Sequence, residues 1–120
     1  MGDFTKHLDM ACEKLAATIH AFNNKQTTVV GDLATKVVEQ FIEADAARSN
    51  EHFGDHKSRN EFANRNYPMD VNAVMRKIWY AYGNLGYEGA NGKRAQIVMD
   101  NLKLAVTFFE DRLSRKLWQE

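Results

Sequence analysis

The sequence is poor in cysteine, proline, glycine and long apolar runs, and each shortage excludes a class of protein. Its single cysteine, Cys12, cannot form an internal disulfide, which excludes a small secreted domain held together by disulfides. One proline and seven glycines in 120 residues leave long uninterrupted stretches, and such stretches suit helices better than a many-stranded sheet. No apolar run approaches the roughly 20 residues that a membrane-spanning helix needs, so we expect no membrane span.

The sequence also lacks an excess of either charge. Sixteen lysines and arginines balance sixteen aspartates and glutamates, so the formal net charge is zero. A strongly basic nucleic-acid-binding protein would carry a clear positive excess, so we do not expect DNA binding. The first residues contain no apolar segment of the kind found in signal peptides, which predicts a cytoplasmic location. Hydrophobic residues make up 44% and charged residues 27%, values typical of one globular domain, here 1–120.

Apolar residues recur at helical spacing in four stretches of the chain. Steps of three and four residues join the apolar positions within 4–22 and again within 30–44. Similar steps join the apolar positions within 71–82 and within 95–113. We therefore predict an all-α protein, built as an antiparallel up-and-down four-helix bundle.

The segment 46–67 differs from the four helical stretches because it is polar and offers few residues to a core. It could form a long loop or a frayed helical extension, and loops of this length are often functional or mobile. Two arrangements therefore stay open: a four-helix bundle with a short extra helix in 46–67, or a three-helix core with this segment folded across it. After the segment, Pro68 begins the third helix, with Asp70 as its predicted N-cap.

His52, Asp55 and His56 lie together in this polar segment and are candidate metal ligands. If the segment is helical, His52 and His56 share one face at i and i+4, with Asp55 beside them. Two imidazoles and a carboxylate suit a divalent transition metal such as zinc. The alternative is a solvated polar loop whose histidines bind nothing, in which case the protein has no cofactor.

Four glycines between positions 83 and 92 interrupt the apolar spacing and predict a loop before the last helix. The end of this loop is a candidate binding site for the phosphate of a nucleotide or RNA. Backbone N–H groups at a helix N-terminus attract anions, and nearby cations add positive charge. The residues of this site are Gly89, Gly92, Lys93 and Arg94. The spacing differs from that of a P-loop. The alternative is a flexible turn in which glycine supplies a positive φ.

Four aromatic residues crowd near the end of the third helix: Trp79, Tyr80, Tyr82 and Tyr87. Aromatic side chains can stack on nucleic-acid bases, but they also fill cores and oligomer interfaces, where tyrosine and tryptophan are enriched. The helical spacing puts Tyr82 in the apolar stripe and Tyr80 outside it. We interpret the group as core residues together with the interface of a homodimer or of a complex with a partner protein.

The second helical stretch resembles a helix of the HEPN-like domains, a superfamily of small four- or five-helix bundles. The sequence LATKVVEQFIEA at 33–44 is similar to the family's amphipathic helix, in which small residues are followed by a glutamate and an apolar pair. The junction 82–87 and the helix 94–113 are similar in layout, so the likeness extends over 10–113. The resemblance implies a bundle that often dimerises, in a superfamily that includes ribonuclease toxins, nucleotide-associated modules and partners of nucleotidyltransferases.

The ribonucleases of that superfamily carry an arginine, then four to six residues, then a histidine. Here Arg48 is followed by His52 after three residues and by His56 after seven, so the resemblance transfers no catalytic residue. We therefore predict a non-enzymatic helical binding or interaction module that self-associates. The alternatives are a nucleotide- or RNA-associated protein that uses the glycine-rich loop, and a metal-binding protein that uses His52, Asp55 and His56.

Overall fold

Five α-helices make up the fold in the computed structural model, which describes residues 2–118 except for the side chains of residues 2 and 86–88. The described residues contain no strand, so the all-α prediction is confirmed. Of the two arrangements left open for 46–67, the structure shows the short extra helix, as α3. None of the helices, over the described residues, is both long and apolar enough to cross a membrane. The helices are α1 (Gly2–Asn23), α2 (Thr27–Ala47), α3 (His56–Asn66), α4 (Met69–Glu88) and α5 (Gly92–Leu113).

Helix α2 lies at the centre of the bundle and contacts each of the other four helices. Its apolar spacing predicted a broad buried face, and every residue over 41–47 is buried. The rings of Phe41 in α2 and Phe109 in α5 are fully buried and stack with centroids 5.3 Å apart. Burying one phenylalanine contributes on the order of 2 kcal/mol, so this pair is a main link between the two helices.

A buried carboxylate at the end of α2 ties this helix to later parts of the chain. Asp45 is 2% exposed, and it accepts hydrogen bonds from the Tyr67 hydroxyl (2.6 Å) and from Nε of Arg112 (2.6 Å). Arg48 pairs with the second oxygen of the same carboxylate. Burial raises the pKa of the Tyr67 hydroxyl, and the negative charge of Asp45 raises it further, so Tyr67 stays a neutral donor.

Helix α4 extends further towards its C-terminal end than the glycines predicted. Gly83 and Gly86 lie inside the helix, and only 89–91 connect it to α5. A glycine inside a helix costs about 1 kcal/mol relative to alanine. Leu85 lies between these two glycines and is fully buried, which contributes about 1.5–3 kcal/mol and offsets the cost of the two glycines. The positive φ expected of a glycine in this loop occurs at Gly89 (105°).

The start of α4 also differs from the prediction that Asp70 is its N-cap. Pro68 is the N-cap residue, and its extended backbone, with ψ 155°, makes the helix begin at the next residue. Asp70 therefore lies within the first turn, where its carboxylate faces the positive end of the helix dipole. It accepts a hydrogen bond from the N–H of Val71 (3.0 Å).

The residues after α5 fold back onto that helix. Ser114 has a left-handed conformation, with φ 56°, and ends the helix. Glu110 accepts hydrogen bonds from the backbone N–H groups of Trp118 (3.0 Å) and Leu117 (2.8 Å). These two hydrogen bonds hold the pKa of Glu110 below its usual value. The side chain of Leu117 is buried in the core, so the segment is fixed by both polar and apolar contacts.

Candidate functional site

A cavity of about 140 Å³ lies between α2, α3 and α4, and we call it the α2/α3/α4 cavity. Each helix lines it with residues three or four positions apart, the spacing that places side chains on one helix face. Its apolar lining includes Val38, Ile42, Met75 and Ile78. Its polar lining includes Thr35, Glu39, His56, Arg59, Asn60, Asn64 and Arg76, with Trp79 beside them.

Thr35 lines the α2/α3/α4 cavity with a buried hydroxyl. Threonine hydroxyls inside helices can donate to the carbonyl four residues earlier, as Thr18 does to Lys14 (2.7 Å) and Thr107 to Lys103 (2.9 Å). Oγ1 of Thr35 is the one buried side-chain oxygen or nitrogen in the described part of the chain that has no hydrogen bond. An unpaired buried hydroxyl costs about 1–3 kcal/mol, so a hydrogen-bond partner for Thr35 would stabilise the protein.

Arg59 of α3 bridges two carboxylates of α2 that are four residues apart and therefore share a helix face. Its Nη1 donates to Glu39 (3.0 Å) and its Nε donates to Glu43 (2.9 Å). Nδ1 of His56 contacts the same Glu39 carboxylate. The carboxylate that lines the cavity is thus already paired with groups of α3.

Three other polar side chains of the cavity remain open to a ligand. The Arg76 guanidinium is exposed and has no ion pair or hydrogen bond to any residue that the structure describes. The side-chain amides of Asn60 and Asn64 likewise have no hydrogen-bond partner among those residues. Arginine binds carboxylates and phosphates through paired N–H donors. Because the carboxylate is paired and the guanidinium is not, the cavity favours an anionic group.

Trp79 lines the cavity, whereas its neighbour Tyr80 does not. Trp79 is 47% exposed, and its ring centroid lies 5.8 Å from that of His56. Tyr80 is 74% exposed on α4, outside the apolar stripe as the spacing predicted, and Tyr82 is half-buried. The side chain of Tyr87 lies outside the described residues. Trp79 and Tyr80 therefore leave aromatic surface on the outside of α4.

The three residues predicted as metal ligands do not share a helix face. His52 lies in the connection between α2 and α3, whereas His56 is the first residue of α3. Asp55 is the N-cap of α3, and its carboxylate accepts hydrogen bonds from the N–H (2.7 Å) and the hydroxyl (3.1 Å) of Ser58. Both hydrogen bonds hold the pKa of Asp55 below its usual value, and the bond from the backbone N–H contributes more than the bond from the hydroxyl. The i, i+4 arrangement of His52 and His56 is not formed, because Asp55 caps the helix after His52.

His52 lies instead beside His7 of α1 and Glu43 of α2. One nitrogen or oxygen atom from each of the three side chains lies within 4.8 Å of the other two. The His7 and His52 rings stack with centroids 5.3 Å apart, and Nδ1 of His52 is 3.5 Å from Oε1 of Glu43. Sequence reasoning missed His7. His7 lies three residues after Phe4 and next to Leu8, so the helical spacing places it on the buried stripe of α1. A histidine on a buried stripe was the feature of the sequence that could have identified it.

The residues predicted to bind a phosphate all lie at the surface: Gly89, Gly92, Lys93 and Arg94. The N-terminus of α5 already has a partner, because the side-chain oxygen of Asn91 accepts the N–H of Arg94 (3.0 Å). The N–H of Asn91 itself donates to the Thr27 hydroxyl (3.1 Å). Some of the donors that an anion would use are therefore engaged within the chain, and phosphate binding here stays a prediction.

Comparisons of the chain with protein-family models, with curated proteins and with solved structures find no match. The function is therefore inferred from the arrangement of the chain's own residues. Two features stand out: the α2/α3/α4 cavity with its unpaired hydroxyl and guanidinium, and the adjacent group of His7, Glu43 and His52.

Proposed function

We propose that the protein is a non-enzymatic helical binding module whose ligand is a small molecule with an apolar body and an anionic group. The observation that carries the proposal is the α2/α3/α4 cavity, where an apolar lining meets the unpaired hydroxyl of Thr35 and the unpaired guanidinium of Arg76. An enzyme would need an acid or base free to exchange a proton with its substrate. In this cavity the carboxylate of Glu39 is already held by Arg59 and His56, so we place the ligand contacts at Arg76 and the asparagines and propose binding alone.

The volume of the cavity sets the size of the proposed ligand. An apolar cavity of about 150 Å³ in another protein holds one benzene molecule. The 140 Å³ of the α2/α3/α4 cavity therefore holds a single ring or a short aliphatic chain, with the anionic group at the exposed Arg76. A monocarboxylic acid of this size is the ligand class that fits, and benzoate is a suitable probe. A neighbouring pocket that shares Thr35, Glu39 and Trp79 leaves room for a larger ligand.

We expect benzoate to bind the protein and benzamide to bind at least about tenfold more weakly, because hydrogen bonds to charged groups contribute about 1.5–3 kcal/mol. Arg76→Gln should weaken the binding of benzoate by a similar factor and leave that of benzamide unchanged. Titration of ¹⁵N-labelled protein, followed by NMR chemical shifts, measures both affinities and locates the ligand.

Two variants control this experiment. Lys77→Gln removes an exposed cation next to Arg76 that does not line the cavity, so it should leave the affinity for benzoate unchanged. Thr35→Val removes the unpaired hydroxyl and should weaken binding, whereas Thr18→Val removes a buried hydroxyl away from the cavity and should not. Equal effects of Arg76→Gln and Lys77→Gln, or a panel of monocarboxylates that moves no signal near the cavity, would contradict the proposal.

We also propose that the module self-associates through the aromatic surface of Trp79 and Tyr80. Large exposed aromatic side chains are enriched where protein surfaces meet, which supports this second part. Sedimentation equilibrium at high micromolar concentration should show a dimer for the natural sequence and a monomer for Tyr80→Glu. Leu104→Glu changes an apolar residue of α5 that is also well exposed, and it should leave the dimer intact. A monomer at every concentration tested would rule out self-association.

Further features belong to the same proposal. Connections of only three residues, 24–26 and 89–91, support an antiparallel up-and-down path for the four long helices. Membership of the HEPN-like superfamily and a cytoplasmic location are proposed with it. A nucleotide or RNA ligand at the loop 89–94 is the alternative function, and a rise in the melting temperature on adding nucleotide would favour it.

A further inference from the structure

Three side chains that are distant in sequence meet beside the α2/α3/α4 cavity. His7, Glu43 and His52 come from α1, α2 and the α2–α3 connection, and each offers an atom within 4.8 Å of the other two. Bonds of about 2.1 Å to a tetrahedral zinc ion would place its ligand atoms about 3.4 Å apart, so binding would draw these atoms up to about 1.4 Å closer together. His7 and Glu43 are buried and His52 is exposed, so an ion can reach the group from solvent.

The types of ligand in this group fit a divalent transition metal. Two imidazoles and one carboxylate bind zinc in many proteins, and they leave a fourth position for water or another ligand. The same set also suits other first-row divalent metals. Calcium and magnesium prefer oxygen ligands, so they are not the ions that these residues select.

Neighbouring residues orient the ligands in the way that metal sites need. Nδ1 of His7 is hydrogen-bonded to the side-chain oxygen of Gln40 (2.8 Å). In the tautomer that donates this bond from Nδ1, the lone pair of Nε2 is available to an ion. Oε2 of Glu43 accepts from Arg59, and Oε1 accepts the N–H of Phe53 (2.9 Å). An oxygen of a carboxylate has two lone pairs, so Oε1 keeps one for an ion.

The charges around the group also favour a cation. Glu43 is 1% exposed, and it shares the guanidinium of Arg59 with Glu39. The two carboxylates share the one full cation of Arg59, and the remaining partners of Glu43 are the Phe53 N–H and the His52 ring. A divalent ion beside Glu43 would add a second full positive charge to this group.

We infer that His7, Glu43 and His52 form a binding site for one divalent transition metal ion of the zinc class. The inference retains His52 from the sequence-based trio and replaces Asp55 and His56, which the structure separates from it. It goes beyond the proposed small-molecule ligand and does not depend on it, because none of the three residues lines the α2/α3/α4 cavity.

Cobalt titration of untagged protein tests the site, because tetrahedral cobalt absorbs visible light strongly and zinc displaces it. We expect one ion per chain. Loss of a residue that only supports a metal ligand weakens metal binding by about 10–100-fold. Loss of a ligand itself should weaken cobalt binding further, and this is the effect we expect of His7→Gln, Glu43→Gln and His52→Gln. The two other histidines provide matched controls, so His20→Gln and His56→Gln should leave the affinity unchanged.

Two results would overturn the inference. Absence of cobalt binding at millimolar concentration is the first. The second is binding that survives His7→Gln but is lost in His56→Gln and Asp55→Asn, which would assign the metal to the trio predicted from sequence. Circular dichroism checks that each variant folds, since Glu43 also holds Arg59 in place.

A measurement on the unaltered protein keeps the test valid if the Glu43 variant does not fold. Zinc should shift the imidazole ¹⁵N NMR signals of His7 and His52 and leave that of His20 in place. An unmoved His7 signal in the presence of excess zinc would overturn the inference, whatever the variants do.

Discussion

Asp45→Ala is expected to lower the free energy of unfolding by about 3 kcal/mol or more. The buried carboxylate accepts hydrogen bonds from the Tyr67 hydroxyl and from Arg112, and it pairs with Arg48. Its removal leaves the Tyr67 hydroxyl buried without an acceptor and the half-buried Arg112 without its counterion. Urea denaturation followed by circular dichroism measures the loss.

Two further variants separate this effect from a general loss of charge. Asp111→Ala removes an exposed carboxylate next to Arg112 and should change the stability by no more than about 0.5 kcal/mol. Asp45→Asn keeps the shape and one acceptor oxygen, so its cost should fall between the other two. If Asp45→Ala and Asp111→Ala cost the same, the buried carboxylate does not have the role that its contacts indicate.

Phe109→Ala is expected to cost about 4 kcal/mol, because it removes a fully buried ring and leaves a cavity at the centre of the core. The ring stacks on Phe41 at 5.3 Å and meets the edge of Tyr67 at 5.6 Å. Its loss therefore weakens the contacts of α5 with α2 and with Tyr67, the residue that ends α3. The same denaturation experiment measures the change in unfolding free energy.

Phe108 provides the matched control for this prediction, because it is the next aromatic ring along α5 but is only half-buried. Phe108→Ala deletes the same atoms at a place where water can enter, so its cost should be clearly smaller. Equal costs for the two substitutions would mean that burial does not set the contribution of these rings.

The helices that sequence reasoning predicted best are those with an unbroken apolar stripe. α1, α2 and α5 were recognised because burial on one face imposes three- and four-residue spacing. α3 was left open because only Phe62 and Ala63 of its residues are buried, which is too few to show a period. The end of α4 was missed because local glycine preference was overruled by the burial of Leu85.

The candidate sites depend on contacts that no local pattern contains. His52 was singled out from its neighbours in sequence, but the histidine that meets it, His7, lies on another helix. The fold places them together through α1 and α2 packing, which a single sequence does not specify at the level of side chains. The unpaired hydroxyl of Thr35 is equally hidden, because Thr18 and Thr107 on similar helices do bond to their own backbone.

The fixed segment after α5 has an optical consequence. The chain has two tryptophans, one beside the α2/α3/α4 cavity and one, Trp118, whose backbone N–H donates to Glu110. Their fluorescence therefore reports on two separate places in one molecule. In a Trp118→Phe chain, all tryptophan emission comes from Trp79, and the wavelength of its emission maximum depends on how much water reaches the cavity. With Trp79→Phe, the remaining emission follows the docking of the last residues onto α5.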